Sequence, residues 1–287
     1  MTQLMKNNGI KEEKCRMENE LVEKVRLVLN LKRHIVGVKF IFIEEEYNDC
    51  EYEVYPYKGA VCGLVAQALK GNIYKAKYEN FSCTGGTECL GLTSVASYVR
   101  AGKRFDGFRL YEDLAISRQV QADLCYLDQK IYGLIAGPLE KLEDADIVLY
   151  LCDGWQMMRT VQGYTYHHGM AKNIGMIGNQ GICSDLIARP FYKNDFNVSG
   201  LCAGARTSTQ AEDWEIGVGM PIHLFRDVAK GILATLNSAT NEMKKKALKE
   251  RMEQQDKYHF DIEFGKMYGS YSKKRKYPTE LYEKELF

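Results

Sequence analysis

The sequence predicts an α/β fold, with a mixed α+β sheet as its variant, built as a single compact core from two weakly similar strand-helix-Cys-helix halves. Three observations predict it. Hydrophobic residues make up 45 % of the 287 positions, an ordinary globular share and enough for a sizeable core. Short β-branched runs alternate with segments of helical periodicity. Two stretches also repeat one order of elements. The first is strand 36–43, helix 61–70, an extended segment, glycine-flanked Cys83 and a helix. The second is strand 146–151, helix 154–166, a glycine-rich segment, Cys183 and a helix. Gln67-Ala68-Leu69 and Gln162-Gly163-Tyr164 fall at comparable places in the first helix of each. Such a duplication predicts a pseudo-twofold core with Cys83 and Cys183 facing one another across the axis, and binding sites favour such junctions.

In chain order, residues 1–17 read as a polar leader. Leu21, Val25, Val28 and Leu29 recur at helical spacing, so 18–31 is expected to be a helix. Residues 36–43 are β-branched and aromatic and read as a buried strand, and 44–57 as a polar surface excursion. Helix 61–70 stops at Gly71-Asn72, and 73–78 alternates as a strand does. A turn at 83–86 leads into an expected helix over 88–100. Strand 131–135, a short helix or turn at 139–145 and strand 146–151 follow. Helix 154–166 is ended by His167-His168-Gly169. The helix begun at Cys183 should end before Pro190, whose ring disfavours helical geometry in the residue before it. Short strands are expected at 198–202 and 215–220, then a long helix over 223–255 and a charged tail. The domains are thus a leader, a core over 18–235 with pseudo-repeats at about 35–100 and 146–190, and a C-terminal helix and tail over 236–287.

Lys plus Arg number 39 and Asp plus Glu 38. A balance this close to neutral argues against a general nucleic-acid binder, which carries a basic excess. No stretch reaches the roughly 18 apolar residues of a membrane span. The N-terminal segment lacks the apolar core of a signal peptide. The expected setting is therefore cytoplasmic, with neither nucleic acid nor membrane as partner. A redox partner protein, a small-molecule substrate or a second copy of the chain remain as partner classes.

Nine cysteines is a high number, and it is odd. In a reducing compartment they serve as core residues, metal ligands or reactive thiols. Four stand out by setting. Cys83 lies in Ser82-Cys83-Thr84-Gly85-Gly86, Cys183 in Gly181-Ile182-Cys183-Ser184-Asp185, and Cys202 in Gly200-Leu201-Cys202-Ala203-Gly204-Ala205-Arg206. Cys62 opens helix 61–70. Amides at helix N-termini and glycine turns aim N–H groups at a thiolate, which lowers a thiol pKa and stabilises anionic clusters. Gly85, Gly86, Gln162 and Arg206 are the accompanying candidates for contact with a cofactor. The sharp reading is an iron–sulfur cluster of the 4Fe-4S type on Cys62, Cys83, Cys183 and Cys202, since such clusters need soft thiolates. The bland reading is that each is a small core hydrophobe. The spacings match neither a zinc ribbon nor a ferredoxin run. Cys15, Cys50, Cys89, Cys125 and Cys152 read as structural, with Cys89 the best substitute ligand.

Other motifs are weaker. His167 and His168 are adjacent, so on a helix they point about 100° apart and do not share one ion. Asp153 after the strongest strand could line a crevice, but reads first as an N-cap. Glu212-Asp213-Trp214-Glu215 could hold a cation and reads first as a solvated turn. No GxGxxG, Walker loop, nucleophile elbow or HExxH occurs.

Several runs together resemble one family. In the first half these are Cys62-x-Leu64, Gln67-Ala68, Gly71, Ser82-Cys83-Thr84-Gly85-Gly86 and Leu90-Gly91. In the second they are Trp155-Gln156-Met157-Met158-Arg159-Thr160-Val161-Gln162 and Cys183-Ser184-Asp185-Leu186-Ile187-Ala188-Arg189-Pro190-Phe191-Tyr192. Asn197-Val198-Ser199, Cys202-Ala203-Gly204-Ala205-Arg206, Glu212-Asp213 and Gly217-Val218-Gly219-Met220-Pro221 complete the pattern. It is similar to the ArCR family, domain of unknown function 169, of archaea and anaerobic bacteria, over roughly 20–235. The resemblance implies that cysteines at the places of Cys62, Cys83, Cys183 and Cys202 form a functional set, and it implies no settled activity. Asp153-Gly154 departs from the family, whose members often carry a proline there. The expected function is an iron–sulfur protein of anaerobic redox or cofactor metabolism. The alternatives are a metal-free cysteine enzyme with an activated thiolate, and a binding module for a small anion or tetrapyrrole-type cofactor.

Overall fold

The computed structural model describes residues 19–142, 144–257 and 259–264. The expected leader and the charged tail beyond 264 lie outside the described residues. The chain forms two compact units, one ending at Leu233 and one beginning at Ala234.

The first unit is built on one six-stranded sheet of β1 (Val36–Ile41), β2 (Tyr74–Lys77), β3 (Gly133–Pro138), β4 (Ile147–Cys152), β5 (Asn197–Ser199) and β6 (Ile216–Pro221). Their order is β2-β3-β1-β4-β6-β5, and every neighbouring pair is antiparallel. The fold is thus mixed α/β on an antiparallel open sheet. β1 and β2 run in the same direction on either side of β3, so they need a crossover, and helix Val61–Leu69 supplies it.

The strand order reads the same from either edge: second, third and first strand of a half, then first, third and second of the other. The register obeys the same symmetry. Val36 pairs with Leu149 and Val38 with Ile147, about the central pair Gly37 and Val148. Both third strands end on a proline, Pro138 opposite Val36 and Pro221 opposite Ile147. This twofold relates helix Val61–Leu69 to the segment Gly181–Ala188, since each leads from the first strand of its half toward the second. It therefore matches Cys62 with Cys183 and Cys83 with Cys202. The sequence had suggested Cys83 opposite Cys183 and helix 61–70 beside 154–166. Local pattern carries no information about which strand is inserted between two others.

Alternation along the strands puts one set of side chains on each face. Val36, Val38, Phe40, Leu134, Ala136, Ile147, Leu149 and Leu151 belong to one core cluster. Helix Val61–Leu69, segment Gly181–Ala188 and helix Ala203–Thr209 contribute to the same cluster. Tyr150 points to the opposite face, where its hydroxyl meets Thr160 Oγ1 of helix Gly154–His168 at 2.8 Å. The unit is a three-layer arrangement, and all four singled-out cysteines come from the layer over the first face.

Four elements differ from expectation. The helix expected over 88–100 is broken: Thr84–Cys89 is helical, and Gly91 then turns left-handed at φ +70° before a short helix at Ser97–Arg100. Residues 44–57 are not merely a surface excursion, because helix Glu44–Asp49 buries Tyr47. The helix at Cys183 does not end before Pro190. Gly181–Ala188 is a π-helix that passes directly into helix Arg189–Lys193, with Pro190 in the first turn, where its missing N–H costs nothing. Strand β6 makes room for it. A Cβ on Gly219 would lie 2.2 Å from the Leu186 carbonyl oxygen, so only glycine lets the π-helix approach this closely. The expected helix over 223–255 is interrupted into Ile222–Ala234, Leu236–Ala239 and Glu242–Gln254, the last capped by Asn241 Oδ1 on the Lys244 N–H.

Candidate functional site

The site begins with two cysteines that cap helices. Cys83 is the N-cap of Thr84–Cys89 and Cys202 the N-cap of Ala203–Thr209, so each follows the second strand of its half and each is half-buried. Cys62 and Cys183, from the elements that follow the first strands, are buried at 6 % and 5 % exposure.

These four come together. The Cys62 thiol and Cys202 share a hydrogen bond, and Cys83 is close enough to both Cys62 and Cys183 to act on them electrostatically. Cys89, fully buried at the end of its helix, hydrogen-bonds Cys183 and donates its own thiol to the Cys125 carbonyl at 3.2 Å. Two close approaches hold the elements together. A Cβ on Gly181 would lie 2.7 Å from the Cys202 amide nitrogen, and one on Gly86 would meet the Cys183 Cβ at 3.7 Å.

The thiols differ in protonation. Cys202 is pushed down to about 5, first by the hydrogen bond from Cys62 and then by the N–H groups of Gly181, Ala205 and Gly204, against the opposing effect of burial. The Ala205 N–H lies 3.4 Å from its sulfur. Cys62 is raised because it keeps the proton it donates, and because it is buried. Cys183 is raised by its hydrogen bond with Cys89 and by complete burial. At neutral pH the Cys62–Cys202 pair therefore holds one thiol and one thiolate, the latter in a cradle of backbone amides.

Beside this pair, Asp185 of the π-helix is 2 % exposed, and burial lifts its carboxyl to about 7. Ser199 Oγ donates to its Oδ2 at 2.8 Å and itself accepts from the Leu201 N–H at 3.0 Å. Gln180 is 5 % exposed; its Nε2 reaches the Gly85 carbonyl at 3.5 Å, and its Oε1 is buried with no partner.

The other candidates divide. Gly85 and Gly86 form the first turn of the helix capped by Cys83, and lie within the site. Gln162 sits on helix Gly154–His168 and accepts from Arg159 Nη1 at 2.7 Å, with no contact recorded to a cysteine. Arg206 spends its guanidinium on three carbonyls, Gly200 at 2.8 Å, Glu212 at 3.0 Å and Glu215 at 3.2 Å, and so clamps the loops at the ends of its own helix. Asp153 is an N-cap in a reciprocal pair with Gln156. Glu215 binds Arg33 at 2.8 Å, and Lys32 lies over the Trp214 ring. His168 pairs with Asp227 at 3.3 Å. From sequence, Cys89 is only a structural cysteine and substitute ligand, and neither Asp185 nor Gln180 is named as a site residue. A polar residue in the apolar run Ile182–Leu186 was the available signal for Asp185.

Among the described residues no group of three or more His, Cys, Asp or Glu side chains is arranged to hold a metal ion. No helix among them is long and apolar enough to cross a membrane.

The sequence profile of the family described as "Uncharacterised ArCR", domain of unknown function 169, matches residues 24–231. The chain belongs to this family. It is also similar to "Uncharacterized protein MJ0308" of Methanocaldococcus jannaschii, 21 % identical over 216 residues that cover 74 % of this chain and 92 % of the relative. No solved structure matches.

Proposed function

We propose that this member of the ArCR family holds an iron–sulfur cluster on Cys62, Cys83, Cys183 and Cys202 and works in redox or cofactor metabolism of the reducing cytoplasm. The observation that carries the reading is the meeting of two symmetry-related cysteine pairs, one from each half, at helix starts, with backbone amides on the Cys202 sulfur. The donor set fits. All four offer soft sulfur donors, Cys62 and Cys183 on loss of their protons, Cys202 is already ionised at neutral pH, and the N–H groups on its sulfur are of the kind that tune cluster potentials. A cluster spreads its ligands around several irons, so four thiolates can serve it without converging on one ion position. The unpartnered Gln180 Oε1 beside Gly85 is an acceptor that a water in the site would satisfy. When bound, the cluster would supply one-electron transfer. The chain's own contribution is to shield the sulfurs, since Cys62, Cys89 and Cys183 are buried, and to present Cys83 and Cys202 toward solvent. Protein purified without oxygen should be brown and contain iron and acid-labile sulfide, about four of each per chain for a cubane. A colourless, iron-free anaerobic preparation overturns the reading.

A second reading is favoured by the direct hydrogen bond between Cys62 and Cys202. A thiolate beside a protonated thiol is the starting state of a dithiol that attacks an electrophile, or that exchanges with a disulfide substrate which is reduced to two thiols as the Cys62–Cys202 pair is oxidised, without metal. The nucleophile would be Cys202, because Cys183 holds its proton and is buried. In metal-free protein, alkylation of Cys202 ahead of all other cysteines at mildly acidic pH supports this reading, and uniformly slow labelling removes it.

A further inference from the structure

A cavity of about 910 Å³ opens beside the π-helix, lined by Ser184 and Asp185, the two residues after Cys183. Its volume is in the upper part of the range of small-molecule sites, roughly 300–1,000 Å³. π-Helical turns are rare and occur disproportionately at functional sites, and this one turns one side chain toward the sulfurs and the next ones toward the cavity. The Asp185 N–H follows the wide pattern, reaching the Gln180 carbonyl at 3.1 Å. The Asp185 carbonyl is tied back by Asn197 Nδ2 at 2.8 Å.

The charges in the cavity are unusual for a structural crevice. Arg100, Arg189 and Lys193 all line it, and none of them makes an ion pair among the described residues. Arg189 is fixed in place by the Asn173 carbonyl, which accepts from its Nη2 at 2.9 Å. Arg100 and Lys193 are exposed. Asp123 and Asp128 line the same cavity, which leaves an excess of one positive charge before Asp185 is considered. Asp185 is nearly buried, lines the cavity and accepts from Ser199 Oγ on its Oδ2 at 2.8 Å.

We propose that this cavity is a binding site for a small carboxylate-bearing metabolite, with its carboxylate held by Arg100, Arg189 and Lys193 and a second polar group hydrogen-bonded to Asp185. Three cations without an ion pair favour an anion, and the exposed Arg100 guanidinium matches the flat two-oxygen face of a carboxylate, while Arg189 already gives Nε and Nη2 to the Asn173 carbonyl and adds its charge. Asp185 lines the same cavity as the three cations, which places a hydrogen-bonding carboxyl group within it. The site stands without the cluster, because no group in it is a proposed ligand.

The test is calorimetric titration of the whole protein with succinate, 2-oxoglutarate and citrate, with inorganic phosphate and spermidine as controls. At least one carboxylate should bind with a Kd of about 1 mM or tighter, and more tightly than either control. The double variant Arg100→Ala, Lys193→Ala changes only exposed side chains and should weaken that binding at least tenfold. The near-isosteric Asp185→Asn should weaken it severalfold, less than the double variant. Absence of carboxylate binding, equal or tighter binding of phosphate or spermidine, or undiminished affinity in the double variant overturns the proposal. Iron content unchanged in both variants would show that the cavity and the cysteine site are separate, whatever the fate of the cluster reading.

Discussion

Removing the Cys62 thiol tests how the Cys202 thiolate is made. Cys202 lies at about 5, and the largest cause is the hydrogen bond from Cys62. A hydrogen bond to a charged group contributes about 1.5–3 kcal/mol, and one pKa unit corresponds to about 1.4 kcal/mol. Cys62→Ala should therefore raise Cys202 by about one to two units, to roughly 6–7. It should not return to the ordinary 9.0, because the amides of Gly181, Ala205 and Gly204 still point at the sulfur. Cys62→Ser keeps a donor and should leave the value near that of the parent. The measurement is the rate of iodoacetamide alkylation of Cys202 against pH in metal-free protein, resolved by peptide mass. The same cycle has a stability consequence. The folded-state value lies below the ordinary one, so the stabilisation is complete above about pH 9 and is lost as pH falls through about 5. Cys62→Ala should shrink that pH dependence. A Cys62→Ala midpoint equal to the parent's, or a parent midpoint above 8, would refute the reasoning.

Three further outcomes are expected. Asp185 is raised to about 7 from 3.8 by burial, so the folded state holds its proton through that window and stability falls as pH rises across it. Asp185→Asn should match the parent near pH 4 and exceed its stability near pH 8, by at most about 4 kcal/mol, as read by urea unfolding at the two pH values. Gly219→Ala forces a Cβ to within 2.2 Å of the Leu186 carbonyl. It should cost about 1–3 kcal/mol or more, and equal denaturation midpoints would contradict the packing described. Cys83→Ser and Cys183→Ser should each abolish most of the bound iron in anaerobic protein, whereas Cys50→Ser, whose carbonyl rather than thiol serves the fold by holding Lys75 Nζ at 2.6 Å, should keep it. Equal iron in all three would detach the metal from the proposed ligands.

Local pattern carried the element types well where periodicity was strong. The helix Val61–Leu69 and the strands Val36–Ile41 and Ile147–Cys152 fall where 61–70, 36–43 and 146–151 were expected, because apolar spacing reports which face must be buried. It failed where a backbone choice depends on a distant neighbour. Gly91 breaks the expected helix because its left-handed turn brings it against the Gln129 and Leu127 carbonyls, which belong to a later segment. The π-helix fits over the sheet and runs on into helix Arg189–Lys193 because β6 offers glycines beneath Leu186. Neither cause is written within a dozen residues of its effect.

For the site, sequence by itself determined the donor chemistry: cysteines at helix starts and glycine turns, where amides favour a thiolate whatever the surrounding fold. Only the tertiary structure decided which sulfurs meet: the order β2-β3-β1-β4-β6-β5 relates Cys62 to Cys183 and Cys83 to Cys202 about the Gly37–Val148 centre, and the packing across that centre brings Cys62 to Cys202 and Cys183 to Cys89. It also decided their charges. A thiol's protonation depends on the groups within a few ångströms of its sulfur and on access to water, and for Cys202 and Asp185 those groups come from segments separated along the chain. The residue types are inherited from composition, while the proton inventory of the site belongs to the packed molecule.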